Sequence, residues 1–198
     1  MIKIGLIGGS GCGKTSVATM LTEFGLSHID CDQVSREVVE PGKPCLDELA
    51  EHFGRDILNP NGSLNRKALA TKAFAVPEET KALNRITHKY ILNRTDELIQ
   101  ALVKSKGVVV DAAALAESGY LDSCDYVVAV IAPRWKRIKR IMRRDGITWR
   151  QAVCRLKAQK PDAFYCSYAD YVVKNGRNYD HLKKQILKIY HAIFNMER

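Results

Sequence analysis

The chain has 198 residues, 46% of them hydrophobic, and 31 Lys/Arg against 22 Asp/Glu give it a net charge of +9. That length suits one α/β domain, or a core with a smaller inserted subdomain, and no apolar run approaches the ~20 residues that cross a bilayer, so a soluble protein is expected. The six cysteines (Cys12, Cys31, Cys45, Cys124, Cys154 and Cys166) form no C-x-x-C pair and no metal-like grouping, which argues against a disulfide scaffold and predicts thiols in a reducing cytoplasm.

The apolar run Ile2-Lys3-Ile4-Gly5-Leu6-Ile7 reads as a strand. It is too short for a signal peptide and leads into no cleavage site. It runs into Gly8-Gly9-Ser10-Gly11-Cys12-Gly13-Lys14-Thr15, which fits G-x-x-x-x-G-K-[ST], and Ser16 to Leu21 continues at helical spacing. Glycines let the backbone turn so that its N–H groups face an anion. The following helix adds the positive end of its dipole. Lys14 supplies a cation for the outer phosphates and Thr15 a hydroxyl for Mg²⁺. The stretch predicts a nucleotide-phosphate site.

Leu26 to Asp30 reads as a second strand ending in Asp30-Cys31-Asp32. Ligands of open α/β sheets bind at the carboxyl ends of strands, so one of these aspartates is expected to cap or orient the helix Gln33–Val39. The other is a candidate base toward a hydroxyl acceptor. Pro41-Gly42 breaks that helix. From Pro44 to about Lys104 the pattern is helical, with Asn59-Pro60-Asn61-Gly62 as a turn and Pro77 near the start of the longest helix. Some sixty helical residues exceed a simple crossover, and they are read as an inserted subdomain over about 35–104.

Gly107 to Asp111 is a buried-type strand ending in an aspartate suited to a Mg²⁺ site. Asp125–Ala132 and Asp170–Val173 are the fourth and fifth strands, and Asn178–Phe194 is a last helix. Thr148-Trp149-Arg150-Gln151 predicts a capping box opening a helix that carries Arg155 and Gln159. The core is therefore placed at 1–34, 105–133 and 161–198, as a five-stranded parallel sheet with helices on both faces.

The charge is uneven. Between Arg134 and Lys160 there are eleven Lys/Arg and one acid, Asp145, so the basic character belongs to one segment. Beside a phosphate loop, an arginine-bearing segment fits a lid that closes over a transferring phosphoryl group. Nucleic-acid binding by this patch is a secondary reading, with only Trp135 and Trp149 as aromatics beside it. A phosphate loop alone is shared by kinases, GTPases, ATPases and motors, but no Asn-Lys-x-Asp guanine-reading motif occurs.

Over essentially its full length the chain resembles the dephospho-coenzyme A kinases. The resemblance rests on the phosphate loop, on Asp30-Cys31-Asp32 and on Ser35-Arg36-Glu37-Val38-Val39-Glu40-Pro41-Gly42. It extends to Asp111–Glu117, Arg144-Asp145 and Ala169-Asp170-Tyr171-Val172-Val173-Lys174-Asn175-Gly176. It implies ATP-dependent phosphorylation of the ribose 3′-hydroxyl of dephospho-coenzyme A, with Mg²⁺. It also implies a P-loop core, a helical substrate subdomain and a lid over about 134–160. Carried over by position, Gly8, Gly9, Gly11, Cys12, Gly13, Lys14, Thr15 and Ser16 hold the ATP phosphates, and Asn175 and Gly176 border adenine. Asp32 is the base, and Arg140 and Arg144 are lid cations. Asp32, Arg36, His88, Asp111, Leu115 and Glu117 face the acceptor, while Thr15 and Asp111 serve the metal.

The chain departs from the family at His88-Lys89, where His-Pro is usual, and at Asp111-Ala112-Ala113-Ala114-Leu115-Ala116-Glu117, where Asp-x-Pro-Leu-Leu-Phe-Glu is usual. The expected partners are ATP and dephospho-coenzyme A in the cytoplasm, with no membrane, no obligatory nucleic acid and no evident partner protein. A nucleoside or nucleotide kinase of the same P-loop class is the alternative enzyme.

Overall fold

The computed structural model describes residues 1–111 and 119–195. The chain divides into two compact units, Met1–Ile29 with Leu102–Arg198, and Asp30–Ala101.

The first unit is built on a five-stranded sheet of order β2-β3-β1-β4-β5. Its strands are β1 (Ile2–Ile7), β2 (Ser27–Asp30), β3 (Gly107–Asp111), β4 (Tyr126–Ile131) and β5 (Tyr171–Lys174). β1 pairs in parallel with β3, Leu6 opposite Asp111, and with β4, Leu6 opposite Val128; β4 pairs in parallel with β5. Val108, Val109 and Val110 are wholly buried, as an apolar run covered on both faces requires. Strand alternation sorts the two faces. Ile4, Leu6, Val109, Val128 and Val130 meet α1 (Lys14–Glu23) and α9 (Tyr179–Asn195) through Val17, Leu21, Ile186 and Ile193. Ile7, Val127 and Ala129 meet Leu121 and Tyr165 on the other face.

Two aspartates set the strand starts. The Lys3 N–H donates to Asp125 at 2.6 Å and the Val127 N–H to Asp170 at 2.7 Å. β1 lies mid-sheet, between β3 and β4, so the loop that follows it opens at the position where doubly wound sheets bind ligands.

Three further helices of this unit are α6 (Arg134–Asp145), α7 (Trp149–Lys157) and α8 (Asp162–Cys166). The Thr148–Gln151 capping box that opens α7 is formed as the sequence predicts. α8 is an element that sequence periodicity does not announce, because five residues give too few turns to register. Ile138, Ile141 and Ala152 pack α6 and α7 into a small core of their own.

The second unit is helical: α2 (Cys31–Glu37), α3 (Pro44–Phe53), α4 (Arg66–Ala73) and α5 (Pro77–Ala101), with a 3-10 turn at Arg55–Ile57. α2 starts two residues earlier than its apolar pattern suggests because Asp30 caps it, accepting the N–H groups of Asp32 and Gln33. It then docks on α5: Arg94 Nε donates to Glu37 at 2.8 Å, and Cys31 Sγ lies 3.8 Å from Thr95 Oγ1. With these contacts the helical unit begins at Asp30, so Asp32 joins Arg36 among the helices, whereas the sequence reading put the boundary after residue 34. α3 is braced to α5 at Glu48, which accepts Tyr90 Oη at 2.6 Å and Lys89 Nζ at 3.1 Å.

Candidate active site

The glycine loop between β1 and α1 takes its shape from its own sequence. Gly11 and Gly13 stand at φ 75° and 98°, in the left-handed region where a side chain is strained. Gly13 is the N-cap of α1, which carries no side-chain cap and no acid in its first turn. The first-turn N–H groups of such a helix suit an anion. Lys14 Nζ reaches back to donate to Gly8 O at 3.1 Å and stands 3.8 Å from Asp111 Oδ1 at the end of β3. Gly9, Ser10, Gly11 and Gly13, with Lys14 and Thr15 of α1 and Arg140 and Arg144 of α6, line a cavity of about 220 Å³.

The side chains of the other predicted phosphate residues lie as follows. Cys12 is buried beneath the loop, and burial raises its thiol pKa above the ordinary value, so it is a packing group rather than a thiolate. Gly8 offers its carbonyl to Lys14, and Ser16 is exposed on α1 outside the cavity lining.

Arg140 is more than a mobile cation. Its guanidinium donates to Gly11 O at 3.1 Å, to Cys12 O at 3.0 Å and to Asn175 Oδ1 at 3.1 Å. Asn175, 6% exposed, uses its Nδ2 on Cys12 O at 2.8 Å. Both ends of that amide are thus spent on the loop and on Arg140. Gly176 instead lines a second cavity of about 550 Å³ with Ala132, Pro133, Arg134, Lys174, Arg177 and His181.

Arg144 donates to both oxygens of Asp145, at 2.7 and 3.1 Å, and to Ser10 Oγ at 3.3 Å. Hydrogen bonds from Arg144 hold the Asp145 carboxyl below its usual range, with the charge of Arg155 as a further partner. Periodicity also understates Arg137. It lies one turn before the buried Ile141, and it is buried, bound to Ser10, Gln159 and Asp162. Its place on the apolar stripe was the available signal.

In the helical unit, Asp30 is committed to the cap, which leaves the exposed Asp32 carboxylate outside it. Arg36 is exposed in the last turn of α2, and His88 is half-buried on α5. Leu115 and Glu117 lie outside the described residues.

A family model described as dephospho-CoA kinase matches residues 2–180. A relative named dephospho-CoA kinase from Corynebacterium jeikeium is 43% identical over 188 residues, covering 94% of this chain and 96% of its own. Among solved structures, a protein from Thermus thermophilus superposes with a TM-score of 0.84 at 26% identity, over 98% of this chain and 97% of that one. A dephospho-CoA kinase from Campylobacter jejuni, 24% identical, shares the fold with a TM-score of 0.70 over 99% of this chain and 98% of its own.

Proposed function

The chain belongs to the dephospho-CoA kinase family, and from that premise we propose the following catalytic roles for its residues. The activity is transfer of the γ-phosphoryl group of ATP to the ribose 3′-hydroxyl of dephospho-coenzyme A, the last step of coenzyme A biosynthesis. The observation that carries the assignment of roles is the convergence of Lys14, Thr15, Arg140 and Arg144 on the cavity rimmed by the glycine loop.

In this reading the loop and the first turn of α1 hold the triphosphate by main-chain N–H groups. Lys14 faces the outer phosphates, where charge accumulates as the phosphoryl group moves. Arg144 lines the same cavity and faces the equatorial oxygens, while Arg140 keeps the carbonyls of Gly11 and Cys12 turned away from the anion. The cavity at Pro133, Gly176 and His181 receives the nucleoside end of ATP. The segment 134–160 serves as the lid and the helical unit holds the acceptor.

Asp32 orients the ribose hydroxyl and accepts its proton, a task open to it because Asp30 does the capping. Arg36 and His88 bind the acceptor's anionic groups. The +9 balance then answers a donor triphosphate and an acceptor pyrophosphate, with no nucleic acid or partner protein required.

Thr15 and Asp111 offer a hydroxyl and a carboxylate beside Lys14, the hard oxygen donors that Mg²⁺ prefers, so the residues present fit that ion. Held there, Mg²⁺ would supply positive charge to offset that of the phosphates. A cytoplasmic location belongs to the same reading: the cysteines are free thiols, at home in a reducing compartment.

The test is an assay of purified protein with Mg-ATP, in which dephospho-coenzyme A competes with nucleosides and nucleoside monophosphates. Conversion of dephospho-coenzyme A in preference to the others is the expected result. Preference for a nucleoside or nucleotide would overturn the acceptor assignment while leaving the ATP site standing.

A further inference from the structure

Arg137 is 8% exposed, the one charged residue that is buried among the described residues. A buried guanidinium persists only where its donors are matched, and here three partners match them. Nε donates to Ser10 O at 3.0 Å, Nη1 to Asp162 Oδ1 at 2.8 Å and Nη2 to Gln159 Oε1 at 3.1 Å. The same Gln159 oxygen accepts the Ser10 N–H at 2.9 Å. Ser10 is therefore gripped through its amide on one side and its carbonyl on the other, and the ring closes through the Arg137–Gln159 bond.

The glycines of the loop make room for this grip. A Cβ on Gly9 would collide with the Arg137 guanidinium, and one on Gly11 would come within 2.8 Å of the Arg137 carbonyl oxygen. Two positions that look like phosphate-facing flexibility are also contact surfaces for α6. Ser10 itself lines the phosphate cavity and accepts Arg144 at its hydroxyl.

We propose that Arg137 and Gln159 are positioning residues for phosphoryl transfer, fixing the Ser10 peptide and with it the rim of the phosphate cavity. The inference rests on the ATP-site reading above and is independent of the acceptor. Removing one member of a buried polar cluster leaves its partners unmatched and lowers stability, so a purely structural role would show as a lower melting temperature with nucleotide affinity unchanged. Asp162, 38% exposed at its side chain, can turn to water if Arg137 is removed.

The experiment measures equilibrium binding of a fluorescent ATP analogue without acceptor, then KM for each substrate, and melting temperature, for Arg137→Leu, Arg137→Lys, Gln159→Leu and the double Leu variant. The expected result is that the nucleotide Kd and the KM for ATP rise about tenfold in each single Leu variant, as for loss of a charge-assisted hydrogen bond. The acceptor KM stays within about twofold, Arg137→Lys recovers part of the loss, and the double variant is no worse than the worse single one, because one ring is broken either way. Gln159 is only half-buried, so its variant keeps the test open if Arg137→Leu folds poorly. Wild-type nucleotide affinity in Gln159→Leu and Arg137→Lys, or a lower melting temperature with both KM values unchanged, would overturn the proposal. Because binding is read without acceptor, a wrong acceptor assignment shows instead as absent wild-type turnover with the affinity shifts intact.

Discussion

Lys14 Nζ and Asp111 Oδ1 stand 3.8 Å apart, both partly buried, where the loop after β1 meets the end of β3. The register of the sheet makes this meeting, because Leu6 lies opposite Asp111. The lysine is thus aimed between a carboxylate and the Gly8 carbonyl, and in the role proposed above it would exchange these for phosphate oxygens. Lys14→Ala is expected to lower kcat/KM by about 10²–10³-fold, the size found when one preorganised transition-state donor is removed. Steady-state kinetics at saturating acceptor check it, and a loss confined to the KM for ATP would reduce Lys14 to a ground-state binder.

Asp32→Asn preserves shape and removes the proton acceptor. Turnover should fall about 10²–10⁴-fold, with nucleotide affinity within about twofold. The companion Asp30→Asn should keep most activity, since asparagine caps a helix nearly as well as aspartate. Near-normal turnover in Asp32→Asn would take the base role away from it.

Asn175→Ala withdraws the amide that satisfies Cys12 O and Arg140 in a buried place. Stability should drop by about 1–3 kcal/mol, the cost of stranding buried polar groups. A chain of this size loses about 2–4 °C of melting temperature per kcal/mol. Calorimetry reads that loss, and a parallel rise in the KM for ATP would show the loop relaxing once its support is gone.

The Glu48 brace gives a pH prediction. Its carboxyl is held below the ordinary 4.5, first by the Tyr90 hydroxyl and then by Lys89. A depressed carboxylate contributes stability that is complete above its unfolded pKa and is lost as pH falls through the folded one. The melting-temperature gap between wild type and Glu48→Gln should therefore be steady above the ordinary carboxylate range and shrink as pH falls below 4.5. Tyr90 is pushed above 10.0 by the same bond, so its share persists below that pH and fades as pH rises through the folded value. A gap unchanged in acid would show that the carboxylate contributes nothing there. Lys89, which stands where the family usually has proline, is an exposed partner in this brace.

What was legible in the sequence was local. Ile2–Ile7, the glycine loop and Lys14–Glu23 emerge within two residues of their reading, because a short apolar run, obligatory glycines and helical spacing act within a few residues of chain. The valine run ending at Asp111 and the Thr148–Gln151 cap are legible for the same reason. The family, too, could be read from motifs whose residues are contiguous.

The roles of Arg137, Gln159 and Asn175 could not be read in that way. Arg137 sits 127 residues from Ser10, and Asn175 163 residues from Cys12. In sequence Arg137 is one of eleven cations in a basic segment; its place on the apolar stripe hints at burial, but nothing local says that it is buried against Ser10. Likewise nothing in the sequence places the Asn175 amide between Cys12 and Arg140.

The sequence by itself determined a phosphate loop between strand and helix, a five-stranded α/β core, a helical insert and the family, since each depends on near-neighbour sterics and periodicity. Tertiary structure alone decided the strand order that brings Asp111 beside Lys14 and the burial of Arg137 upon Gly9 and Ser10. It also decided the commitment of Arg140 and Asn175 to the loop's carbonyls. These depend on which distant groups must satisfy one another's hydrogen bonds once water is excluded, and that is settled only when the chain has packed.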